Sequence, residues 1–170
     1  SIGTAATAAN FFGGERISAA AFDDAILEAR SRFEDGITPF HPKLWDVAYG
    51  SSGTMRTLAE VIEKNALGDG QLSVKGLTAL KERLVDCGRK GRIDLAGARA
   101  ERISVILGGL PVLLGLAQEA GLRTIQPIEA GLRMGVMWDL HMREHQRDRR
   151  QASVRHFMQR FGVDDARAAQ

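Results

Sequence analysis

The run Trp45-Asp46-Val47-Ala48-Tyr49-Gly50-Ser51-Ser52-Gly53-Thr54 has the residue types needed to hold a phosphate: an apolar stretch empties into a Gly/Ser turn, and a helical pattern opens directly after it. A helix over residues 55–64 would aim its unpaired N–H groups and the positive end of its dipole at that turn. Gly50 and Gly53 would let an anion approach the backbone, while Ser51, Ser52 and Thr54 would add hydroxyl donors. The same residues also serve a plainer purpose, in which the glycines shape a tight strand-to-helix connection and Ser52 or Thr54 caps the helix. Chemistry alone leaves both readings open.

Other reactive side chains are scattered. Among His41, His141, His145 and His156 only His141 and His145 stand at helical spacing, and Glu144 beside them completes no recognisable metal motif. Solvent-facing imidazoles are the expectation there. No Ser-His-Asp arrangement can be defended from spacing. Asp23-Asp24 and Asp164-Asp165 are adjacent pairs that point different ways on a helix, so they make poor acid–base partners. Asp139 reads as a surface carboxylate. Cys87 is the one cysteine, which excludes an internal disulfide and fits a reducing compartment. Net charge is only +2, yet Arg143, Arg147, Arg149, Arg150, Arg155 and Arg160 are opposed only by Glu144 and Asp148. This basic arm reads as a solvated helix, with a polyanion contact as the alternative.

These residues need a scaffold, and 170 residues that are 44% hydrophobic suffice for one soluble domain with a real core. No apolar run is read as reaching the length of a membrane span, and the N-terminus lacks an export pattern; a cytoplasmic location is expected. After a short irregular start, the spacing predicts a helix from Ser18 to near Gly36 with Ala21, Phe22, Ile26, Ala29 and Phe33 on one face. Pro39 and Pro42 mark a loop, and residues 44–49 read as a short buried strand. Gly68-Asp69-Gly70 ends the motif helix, and Ser73 caps another with Leu77, Leu80, Leu84 and Val85 on its apolar face. Residues 88–97 read as an exposed loop. Residues 99–119 are apolar on nearly every side and predict a buried helix, with a kink or restart at Pro111 because proline lacks an N–H. Gly108-Gly109 most simply lets a neighbour pack closely. A second strand over 124–128 and helices over 131–142 and 152–161 follow. The fold class is therefore α/β, with two short parallel strands joined by right-handed crossovers. So small a sheet among so many apolar helices implies further strands from sequence outside the chain. A start in mid-pattern, without Met, likewise points to a piece of a larger protein.

Three runs in order, Gly50-Ser51-Ser52-Gly53-Thr54-Met55-Arg56, then Glu101-Arg102-Ile103-Ser104-Val105-Ile106-Leu107-Gly108-Gly109, then Gly131-Leu132-Arg133-Met134-Gly135-Val136, resemble the second actin-like lobe of the exopolyphosphatase and guanosine pentaphosphate phosphatase family over about residues 1–143. The resemblance implies a helix-rich fragment of a ribonuclease-H-like lobe, of the actin, sugar-kinase and chaperone superfamily, over residues 1–145. It implies a basic linker and the truncated first helix of a helical domain over residues 146–170. It also implies a cytoplasmic, magnesium-dependent hydrolase tied to the stringent response. Such an enzyme removes terminal phosphate from polyphosphate, or the 5′ phosphate from guanosine pentaphosphate, in a cleft between two lobes. Gly50, Ser51, Ser52, Gly53 and Thr54 would form its phosphate-binding wall.

The family's catalytic glutamate and acidic metal ligand match nothing here, so neither a catalytic residue nor a metal ligand is assigned. The fragment is expected to be inactive alone and to need the missing N-terminal lobe of the same protein, with no membrane and a homodimer as the expected assembly. The family often carries Asp where Ser104 stands and Glu where Met134 stands, which removes whatever those carboxylates contribute. The alternative is a non-catalytic basic helical module that binds a polyanion such as RNA.

Overall fold

The apolar run around Gly108-Gly109 becomes the spine of the fold. The computed structural model describes residues 3–40, 42–144, 154 and 158–160. In chain order these form α1 (Thr4–Phe12), α2 (Ala19–Glu34), β1 (Tyr49–Gly50), α3 (Gly53–Lys64), α4 (Val74–Cys87), α5 (Ile103–Glu119), β2 (Gln126–Pro127) and α6 (Leu132–Glu144). They fall into two compact units, Ser1–Glu129 and Ala130–Gln170.

In the first unit α5 packs against α1, α2, α3 and α4. Its Ile106, Leu107, Leu110 and Leu114 are buried with Phe12, Phe22, Leu58, Ile62, Leu77, Leu80 and Leu84. Burying each such side chain contributes roughly 1.5–3 kcal/mol, so a helix that is apolar on all sides is stable only where neighbours cover it. Pro111 lies inside α5 without dividing it. Of the predicted kink or restart, the restart does not occur: proline leaves one intrahelical bond unmade, and tertiary packing outweighs that loss. With the 3-10 turn that precedes it, the segment Ala100–Glu119 is long and apolar enough to cross a membrane, which corrects the expectation that no run reaches that length. Its burial among four helices is that of a core helix.

Serines start three of the helices. Ser18 Oγ accepts the Ala21 N–H at 3.3 Å, Ser52 Oγ the Met55 N–H at 3.1 Å and Ser73 Oγ the Gly76 N–H at 3.0 Å. The predicted irregular start is instead α1. Its run of alanine and threonine has too little hydrophobic contrast to show a period, and it is held by contact at a distance: a Cβ on Gly108 would lie 1.9 Å from the Thr4 carbonyl oxygen.

β1 is shorter and more exposed than the buried strand predicted over residues 44–49. Pro42–Leu44 forms a 3-10 turn, and Leu44, Val47 and Tyr49 are exposed. Only Tyr49 and Gly50 pair, parallel to Gln126 and Pro127 of β2. A parallel strand is buried only where it has neighbours on both edges and layers on both faces; among the described residues β1 has β2 alone. Gln126 N–H donates to the Ala48 carbonyl at 2.8 Å and Ile128 N–H to that of Gly50 at 2.9 Å. That alternation turns the N–H and C=O of Tyr49 away from β2, where no described group bonds them. The parallel pairing itself, with α3, α4 and α5 in the connection, agrees with the prediction.

In the second unit Trp138 and His141 of α6 meet edge-on, with ring centroids 5.8 Å apart. The last predicted helix, 152–161, lies mostly outside the described residues; Val154 and residues 158–160 are helical.

Candidate functional site

At the C-terminal end of β1 the backbone turns through Ser51 and Ser52 into α3. Ligands of open parallel sheets bind at this end of the strands. Gly50 is buried, and a Cβ there would meet Met55 Sδ at 2.1 Å and Ile125 Cγ2 at 3.1 Å, so the chain passes close beneath the start of its own helix. Ser51, Ser52 and Gly53 are exposed, and Thr54 is half-buried. Because the Ser52 oxygen accepts from Met55, its hydroxyl hydrogen is left to donate elsewhere. The N–H groups of Ser52, Gly53 and Thr54 find no acceptor among the described residues; they are the orphan donors of the helix start. No atom lies within 4 Å of where a Gly53 Cβ would stand, so the bare backbone there is open. Ser52 is thus a helix cap, as the plainer reading has it, and the cap leaves a cluster of donors facing outward.

Two charged groups join this end of the sheet. Arg56, one turn into α3, places Nη1 3.6 Å from Glu129 Oε1 in the segment after β2. Both side chains are largely exposed, so the pair contributes at most about 1 kcal/mol; its effect is to set a cation beside the turn. Sequence alone gives Arg56 no role and does not single out Glu129. The available signal was that Arg56 stands four residues after Ser52, on the same helix face.

The second of the three sequence runs reaches the first through Gly109 of α5. A Cβ on Gly109 would lie 2.2 Å from Thr54 Cγ2 and 3.6 Å from Thr4 Cγ2. Thr54 therefore commits its methyl to the core side. Ser104 is exposed in the first turn of α5, and Met134 is exposed on α6 in the second unit.

The remaining candidates do not assemble. Asp23 is paired with Lys81 at 3.0 Å, and Asp139 with Arg143. Cys87 is half-buried at the end of α4. His41, His145, His156, the Asp164-Asp165 pair, Arg147, Arg149, Arg150 and Arg155 lie outside the described residues. Magnesium would call for carboxylate oxygens. Among the described residues no three His, Cys, Asp or Glu side chains come together, so these residues offer the ion no ligand set.

A family model described as the Ppx/GppA phosphatase family matches residues 1–144. The match takes in the turn at Ser51–Gly53, the glycine pair of α5, of which Gly109 abuts Thr54, and the 131–136 run. It spans far more than half of the 170 residues. On that extent, the chain belongs to the Ppx/GppA phosphatase family.

Proposed function

We propose that the intact protein is a phosphohydrolase that releases terminal phosphate from inorganic polyphosphate or the 5′ phosphate from guanosine pentaphosphate. In this reading, residues 1–145 are part of an actin-like second lobe, and Gly50, Ser51, Ser52, Gly53 and Thr54 line one wall of the cleft. The observation that carries it is the group of outward N–H donors at Ser52, Gly53 and Thr54, within a chain whose family is that of phosphatases. Their part is to hold phosphate oxygens and to neutralise the charge that builds on them as the P–O bond to the leaving group breaks. The Ser52 hydroxyl adds a donor, and Arg56 adds a positive charge. In this reading the residues that activate water are not among residues 1–170, and this stretch alone is expected to be inactive.

The test uses the full-length protein with magnesium and long-chain polyphosphate or guanosine pentaphosphate. Ser52→Ala and Gly53→Val are each expected to lower kcat/KM by about tenfold or more, the scale of a hydrogen bond to a charged group. Unchanged turnover in both removes the turn from the mechanism. The competing reading, a basic module holding RNA through residues 143–160, requires instead that truncation after Arg143 abolish RNA binding with a steep salt dependence.

A further inference from the structure

We infer that Gly109 is a positioning residue for the Ser51–Gly53 turn, acting through the methyl group of Thr54. The inference rests on the reading of the turn as phosphate-facing, and it deepens that reading by adding a residue from a distant helix.

The glycine pair of α5 carries a cost. A glycine inside a helix is less stable than alanine by roughly 1 kcal/mol, and α5 carries two in succession at its centre. Each has a separate steric reason. Gly108 makes room for α1, since its Cβ would lie 1.9 Å from the Thr4 carbonyl oxygen and 3.0 Å from Ala8 Cβ. Gly109 makes room for a single side chain of α3, since its Cβ would stand 2.2 Å from Thr54 Cγ2. Gly109 is itself buried, as are its α5 neighbours Leu107, Leu110 and Leu113, so α5 cannot retreat without opening the core.

Thr54 is equally constrained. It is β-branched, so its side chain has few rotamers, and it is the second residue of α3, so its N–H is one of the three outward donors. A methyl held against Gly109 fixes which way the hydroxyl can lie and how far the first turn of α3 stands from α5. Adding a Cβ at Gly109 leaves two outcomes: Thr54 rotates and its hydroxyl moves, or the start of α3 is pushed outward with its donors. Both misplace the turn while leaving its residues intact.

The test is a double-mutant cycle in the full-length enzyme, with turnover and inhibition by inorganic phosphate measured on fully folded samples. Gly109→Ala is expected to lower kcat/KM by about tenfold to a hundredfold, the scale of an ångström of misplacement, and to weaken inhibition by phosphate. Adding Thr54→Ser, which deletes the clashing methyl and keeps the hydroxyl, should restore Gly109→Ala to within about threefold of Thr54→Ser alone. Thr54→Val, which keeps the branch, should give no restoration. Gly115→Ala is the structural control: its Cβ would meet Ala29 Cβ at 2.6 Å, so it should lower the melting temperature without gaining from Thr54→Ser. Full activity in Gly109→Ala, or a loss that Thr54→Ser does not relieve, overturns the inference. If Gly109→Ala fails to fold, the Gly109→Ala/Thr54→Ser double variant decides, because an inactive or unfolded double variant also overturns it. Unchanged turnover in Ser52→Ala and Gly53→Val would instead overturn the phosphate reading itself.

Discussion

Ser52 uses one hydroxyl twice, its oxygen accepting the Met55 N–H at 3.1 Å and its hydrogen remaining available to a ligand. The two uses separate by substitution. Aspartate caps helices as well as serine does and suits the positive end of the dipole, but it brings a negative charge to the place proposed for phosphate. Ser52→Asp is therefore expected to keep or slightly raise the melting temperature while reducing phosphate release by at least about a hundredfold, against a Ser52→Ala variant that loses about 1 kcal/mol of stability. A Ser52→Asp protein with normal turnover would mean the hydroxyl only caps. The turn was legible in sequence because Gly, Ser and Thr announce an open backbone and a cap within a few positions. The direction of the Thr54 methyl was not legible, since it is set by Gly109 in a helix remote in sequence.

The helices were legible where a cap and a period coincide: Ser18 ahead of Phe22, Ala25, Ile26 and Ala29, and Ser73 ahead of Leu77, Leu80 and Leu84. α1 shows neither, because Gly3 offers no side-chain cap and alanine and threonine give little contrast. β1 is shorter and more exposed than its sequence predicts because an apolar run signals burial without saying how many neighbours are present to supply it. The start of α4 also makes a pH-sensitive joint. Ser73 Oγ donates to Asp69, with distances of 2.7 and 2.8 Å to its two carboxylate oxygens, and the Gln71 N–H adds a 3.2 Å bond to Oδ1. The Ser73 hydroxyl, aided by backbone N–H groups, holds the Asp69 carboxyl below its ordinary pKa. A depressed folded pKa stabilises the fold above the unfolded value and loses that contribution as pH falls through the folded one. The melting temperature is expected to fall below about pH 4, and Asp69→Asn, which keeps an acceptor oxygen but cannot titrate, should flatten that part of the profile. Parallel profiles for the two proteins would place the acid sensitivity elsewhere.

At the scale of the whole molecule, the helix-rich α/β class and the parallel pairing could be read from the order of patterns along the chain. The exposure of the sheet could not, because it depends on what lies beside β1 in space. Leu44, Val47 and Tyr49 stand in solvent, and the N–H and C=O of Tyr49 find no described partner. An exposed apolar segment that runs into an unpaired strand edge is a template on which another chain can add. Solutions of these 170 residues are thus expected to cloud as concentration rises, with the turbidity gaining β-type infrared absorption. Val47→Lys, which puts a charge of the kind that guards natural edge strands two residues before β1, should keep such solutions clear at several times the concentration. If both proteins cloud alike, the association runs through another surface. Where Val47→Lys does keep the solutions clear, the segment that leads into the proposed phosphate turn also sets the shelf life of the isolated chain.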